Sequence, residues 1–166
     1  MHPTKINTSM SYLLIFSISV LFGYLSFVIS KFGIPPSISE TYYLLGGGVK
    51  GIWFQVAMLL IAFSVAPVLI HSSSQNTQFL AFLSCAALAF VGVAPMFKMK
   101  LEGKVHYTAA YICCGGLVFW QVFNTWWLVP AICFILAALL MSVDKKYMWW
   151  MEIATIVSAY VSLIFL

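Results

Sequence analysis

Apolar residues in this chain come in long runs, and polar residues are confined to the short breaks between them. A helix rising 1.5 Å per residue needs about 20 apolar residues to cross a hydrocarbon core of about 30 Å, with a range of roughly 17–25. Six runs reach that length: Tyr12–Ser30, Gly51–Ile70, Thr77–Phe97, Val105–Phe123, Trp126–Val143 and Tyr147–Leu166. The pattern predicts an all-α, polytopic membrane protein, a six-transmembrane-helix bundle forming a single domain over residues 1–166. The first run is longer than the apolar core of a signal peptide, roughly 7–15 residues, and no small-x-small cleavage site follows it. It is read as a retained helix. The one long connection, Lys31–Lys50, contains "FGIPPSISETYYLLGGGVK", whose proline, serine and glycine exclude a continuous helix. Trp53, Trp120, Trp126, Trp127, Trp149 and Trp150 all lie near predicted helix ends, where an interfacial aromatic belt would place them.

Composition agrees with the pattern. The chain is 63% hydrophobic and 7% charged, against about 25% charged in soluble domains. Every basic residue is lysine, which argues against bidentate phosphate clamps, because lysine acts as a mobile point charge. A formal charge of +4 without a basic stripe excludes nucleic acid as a partner. Membrane lipids, anionic ones in particular, suit scattered lysines better. Lys31, Lys50, Lys98, Lys100, Lys104, Lys145 and Lys146 fall in the first, third and fifth connections, and the second and fourth hold none. That asymmetry predicts odd connections in the cytoplasm and both termini outside. Cys85, Cys113, Cys114 and Cys133 lie inside apolar runs without a CxxC pair, and are read as small packing residues.

The polar groups share one end of the predicted bundle. Glu40, Glu102 and Asp144 belong to odd connections, where charge is tolerated anyway. Glu152 differs, because it lies about 1.5 turns into the sixth helix, roughly 8 Å from its end. A carboxyl group within a span is costly and usually faces the bundle interior. Thr155, Ala159 and Ser162 follow Glu152 on one small-residue face, the kind that marks helix contact in lipid. His106 opens a similar face with Ala109, Ala110, Cys113 and Gly116, while Tyr107, Tyr111 and Val118 point away. The third helix offers Cys85, Ala89 and Gly92 as a matching small surface.

Several chemistries lack a sequence signal. His71 sits at the opposite end from His106, so no three-histidine zinc site forms. His106 with Glu40 and Glu152 has no spacing specific to a metal, and no metal ligand set or cofactor is assigned. "GGGVKG" (46–51) lacks the P-loop spacing and reads as a hinge, though glycines at a helix start beside Lys50 also suit an anion. No Ser-His-Asp arrangement is readable.

His106, Glu152, Glu40 and Ser39 are therefore the candidate catalytic groups, with Gln55, Lys50, Lys104 and Ser37 as candidate substrate-binding groups. Two short motifs add a resemblance. "PPSISET" (35–41) and "KVHYTAA" (104–110) resemble the six-helix DRAM/Frag/Sfk-like membrane family, related to lipid-remodelling factors of GPI anchors. That family tends to carry Pro–x–Ile–Ser–acid–Thr in its first connection and a histidine with small residues in its fourth helix. Pro36, Ile38, Ser39, Glu40, Thr41 and His106 occupy those positions here. Glu40 replaces the usual aspartate, Tyr42–Tyr43 stand where glycine and prolines are usual, and the family's orientation is opposite to the one the lysines predict. The expected function is binding of a lipid headgroup, with modification by acid–base chemistry. The rivals are a small transporter or channel subunit relaying protons through Glu152 and His106, with a homo-oligomer completing the path, and a non-catalytic membrane partner.

Overall fold

The structure, a computed structural model, describes residues 7–125 and 127–166. Among them the chain forms seven helices and no strand: α1 (Thr8–Phe32), α2 (Thr41–Leu44), α3 (Ile52–His71), α4 (Gln78–Val93), α5 (Lys100–Asn124), α6 (Leu128–Asp144) and α7 (Tyr147–Ile164). Three of them, α1, α3 and α7, are long and apolar enough to cross a membrane, while α4 and α6 are apolar but shorter. By that measure the chain is a helical membrane protein.

Local chemistry sets the helix ends. Asn7 caps α1 by accepting from the Met10 amide at 3.0 Å, and Gly33 (φ 70°) closes it by donating to the Ile29 carbonyl. The apolar run of the predicted third helix continues to Phe97, yet α4 stops at Val93. Pro95 drives Ala94 out of helical geometry (ψ 59°), which corrects that boundary. Conversely α5 begins at Lys100, five residues ahead of its predicted start, so Glu102 and Lys104 are helical. The first connection carries the single turn α2, and Gly46, Gly47 and Gly48 all take positive φ on the way to α3. Between α6 and α7 the chain turns through Lys145 in left-handed geometry. Asp144 Oδ1 fixes that turn by accepting from the Lys146 amide at 2.9 Å and the Trp150 indole at 2.8 Å.

Packing follows the order α1–α3–α4–α5–α7, with α6 against the outside of α7. Ser17 and Tyr160 share a 2.6 Å hydrogen bond that joins α1 to α7. The contact face of α5 is one stripe, His106, Ala109, Cys113, Leu117, Trp120 and Asn124, all buried at spacings of three and four. Gly116 lets α5 approach α4, since a side chain there would meet the Ser84 hydroxyl. Gly92 was expected to serve the same pair but faces α3, where an added Cβ would lie 3.0 Å from Met58. The aromatic belt needs a similar correction. Trp53 and Trp127 are exposed, but Trp120 and Trp149 are core residues, and Trp126 lies outside the described residues.

The α1–α7 link gives a direct prediction. Tyr160→Phe is expected to lower stability by about 1 kcal/mol, the net worth of one buried hydrogen bond. Ser17→Ala should add little on top of it. Unfolding in detergent across the four-member double-mutant cycle would check this, and fully additive losses would mean the two hydroxyls act independently.

Candidate functional site

A cavity of about 380 Å³ opens where the connection after α1 meets the first turns of α5 and α7. Its lining includes Ser37, Ser39, Glu40, Phe97, His106, Tyr107, Ala110, Tyr111, Cys114, Met151, Glu152 and Thr155. Five residues singled out from the sequence, Ser37, Ser39, Glu40, His106 and Glu152, thus reach one space.

The segment bearing Ser39 is tied down on several sides. Ser37 Oγ accepts from the Glu40 amide at 3.1 Å, the Ser-x-x-Glu geometry of a helix start. Thr41 Oγ1 donates to the Ile38 carbonyl at 2.6 Å and also bonds the Tyr24 hydroxyl from α1. Helix α7 supplies the remaining ties. The Trp149 amide, an orphan donor of its first turn, bonds the Pro36 carbonyl at 3.1 Å. Lys146 Nζ reaches the Ile34 carbonyl at 2.6 Å, and Glu152 Oε2 accepts from the Ile38 amide at 2.6 Å. Glu152 therefore positions the Ser39 segment as well as lining the cavity.

His106 is buried, and both its ring nitrogens are engaged. Nδ1 lies 2.9 Å from the Ala94 carbonyl, which can only accept, so Nδ1 carries the proton. Nε2 then presents its lone pair to the Ser39 hydroxyl at 3.0 Å. Phe97 stacks on the imidazole with ring centroids 4.9 Å apart, and Tyr43 meets Phe97 edge-on at 5.0 Å. The break at Pro95 thus has a local use, because the residues it frees carry both the Ala94 carbonyl and the Phe97 ring.

Lys98 does not line the cavity but pairs with a residue that does: its Nζ lies 2.7 Å from Glu40 Oε1 and 4.2 Å from the centre of the Tyr43 ring. Its hydrogen bond to Glu40 raises the ammonium pKa, so Lys98 stays charged. Neither lysine proposed from the sequence lines the cavity. Lys50 extends exposed beside Gly46, and Lys104 points into a separate groove between α4 and α5. Gln55 also lies elsewhere: it has the right depth on α3 but the wrong rotation, next to Phe54 and not in the cavity wall. Sequence reasoning missed Phe97, Met151 and Thr155 in the lining and Lys98 beside it, and it turned Tyr107 and Tyr111 away from a cavity that both of them line. Thr155 alone carried a signal, being one turn from Glu152 on the same face.

Two smaller voids adjoin the cavity between the helices. A cleft of about 60 Å³ shares Ser39, Ala110, Cys114, Glu152 and Thr155 with it and adds Met58, Leu88, Val91, Leu117 and Ile156. A second void of about 40 Å³ shares Met58, Leu88, Leu117 and Ile156 and extends to Leu21, Leu69 and Tyr160. Polar groups thus give way to an apolar slot running into the bundle. Among the described residues no group of three histidine, cysteine or acidic side chains is placed to hold a metal ion. At the far end, Asn124 Oδ1 accepts from the Ser74 amide at 2.9 Å and the Thr77 hydroxyl at 2.7 Å, and joins the end of α5 to the α3–α4 turn. No protein-family model, curated protein or solved structure matches the chain.

Proposed function

We propose that the protein is a six-span membrane protein that holds a lipid headgroup in the cavity around His106 and acts on the lipid by acid–base chemistry. One observation carries this reading: Ser37, Ser39, Glu40, His106 and Glu152, two of them carboxylates and one an imidazole, gather in one cavity of about 380 Å³ at one end of the bundle. Ionisable groups in a membrane helix are retained where they do something, and headgroup depth is where a polar cavity meets a lipid. Helices α4, α5 and α6 supply the remaining spans. The 16 and 17 residues of α4 and α6 rise roughly 24 and 26 Å, a mismatch that local bilayer thinning absorbs. Seven of the eight lysines fall in the connections at the cavity end, which supports a cytoplasmic reading of that end and favours anionic lipids as partners. The resemblance of "PPSISET" and "KVHYTAA" to the DRAM/Frag/Sfk-like family supports the lipid reading, although that family's orientation is opposite to the one the lysines favour. A proton relay fits less well. Beyond Glu152 the voids are lined by apolar side chains, Cys113, Cys114, Thr155 and Tyr160, with no second carboxylate or imidazole to carry a proton onward.

The test is retention of lipid by purified protein. Anionic phospholipid bound in nanodiscs should be held about tenfold less tightly by His106→Ala combined with Glu152→Leu, equivalent to about 1.4 kcal/mol. Native mass spectrometry reads the bound lipid directly, and equal retention by the folded double variant would remove the headgroup reading.

A further inference from the structure

We infer that Ser39 is a nucleophile activated by His106, and that its substrate is a lipid acyl ester whose chain occupies the slot between α3, α4, α5 and α7. The inference rests on the lipid-pocket reading above and adds a reacting atom and a substrate class to it.

Three observations converge on Ser39. Its hydroxyl is 3.0 Å from His106 Nε2, within reach for proton transfer. The Ala94 carbonyl accepts from Nδ1 at 2.9 Å, fixing the tautomer that leaves Nε2 basic and stabilising the imidazolium that would form. This is the role of the third member of a catalytic triad, here filled by a main-chain oxygen, which explains why no Ser-His-Asp pattern is legible in the sequence. Finally, Ser39 lines both the open cavity and the cleft behind it, and so stands where polar space becomes apolar. An acyl ester has that division: a polar head on one side of the carbonyl and a hydrocarbon chain on the other.

The chemistry balances with water as the only co-reactant. Ser39 Oγ bonds to the ester carbonyl carbon while its proton passes to His106 Nε2. The ester's alkoxy oxygen then departs with that proton, leaving an acyl-serine and a lysolipid alcohol. Water entering from the open cavity gives a proton to Nε2 and its oxygen to the acyl carbon, and Ser39 leaves as the hydroxyl while the fatty acid is released. Ser37 lines the same cavity and uses Oγ as an acceptor from Glu40, so its own hydroxyl proton can be donated to the oxyanion. Ala110 stands at the neck, lining both the cavity and the cleft.

The experiment treats the full-length protein in detergent with a fluorophosphonate probe and with p-nitrophenyl esters of four- and twelve-carbon acids. The expected result is a single phosphonyl adduct on Ser39, absent in Ser39→Ala and formed at least 100-fold more slowly in His106→Gln. Ala110→Phe, which narrows the neck, should lower the ratio of twelve- to four-carbon turnover at least tenfold. Thermal melting and lipid retention are measured on the same samples. Folded, lipid-retaining wild-type protein that takes no adduct on Ser39 overturns the nucleophile and leaves the headgroup reading in place. Loss of both lipid retention and labelling in folded protein overturns both. An adduct on Ser39 with a chain-length ratio unmoved by Ala110→Phe overturns the slot.

Discussion

Trp120→Ala is expected to lower the stability of the protein by about 3 kcal/mol, the largest single loss we anticipate from the core. Trp120 is fully buried, and its indole N–H donates to Ser73 Oγ at 2.7 Å, tying α5 to the end of α3. Truncating a buried tryptophan in a soluble core costs about 3–5 kcal/mol, part of it transfer to water and part the cavity left behind. Lipid tails are as apolar as the bundle interior, so the transfer part shrinks while the packing part remains, and the low end of the range applies. Trp120→Phe separates the hydrogen bond from the packing. It should cost about 1 kcal/mol, since Ser73 keeps its bond to the Leu69 carbonyl. Unfolding by denaturing detergent in mixed micelles gives both numbers. A smaller loss in the alanine variant than in the phenylalanine variant would contradict the burial.

The second large effect concerns a residue without a side chain. Gly103 lies in the first turn of α5, and an added Cβ would collide with the Phe97 carbonyl oxygen, a main-chain atom that cannot swing aside. Gly103→Ala should therefore cost about 1–3 kcal/mol, as overpacking does elsewhere. Because Phe97 stacks on His106, the displacement should also weaken lipid retention. Gly115, twelve residues on in the same helix, has nothing within 4 Å of an added Cβ. Gly115→Ala should be neutral or stabilising by up to about 1 kcal/mol, the helix-propensity gain alone. Melting temperatures that move in the same direction for the two variants would show that propensity, not collision, decides.

The contrast between those glycines illustrates what the sequence could and could not reveal. Hydropathy located the helices because each buries or exposes apolar side chains along its whole length, and the small faces of Glu152 and His106 indicated which way those residues turn. Hydropathy misplaced the ends of α4 and α5, where Pro95 stops an apolar run early and a charged turn, Lys100–Lys104, is nonetheless helical. Trp120 was read as an interfacial residue from its position near a helix end. Its spacing from His106, Ala109, Cys113 and Leu117 already placed it on the buried stripe. Depth was legible for Gln55, but rotation was not, because α3 is apolar on every side and its residues give no polar face to orient it. The pairing of Ser39 with His106 joins residues 67 positions apart. No local pattern encodes such a distance. Nor could the sequence choose Lys98 over Lys50 and Lys104, since the choice depends on how the turn after Pro95 folds over Tyr43.

The bond from Glu152 to the Ile38 amide joins positions 114 residues apart, and this separation has a consequence for the order of events at the ribosome. Ser39 leaves the exit tunnel early and His106 later, so both are made before the helix that fastens the Ser39 segment exists. Until α7 has been synthesised and inserted, the Pro36 carbonyl, the Ile34 carbonyl and the Ile38 amide lack their partners from Trp149, Lys146 and Glu152. The nascent segment around Ser39 is therefore held only by its own turn and by Tyr24 of α1 until α7 has been made.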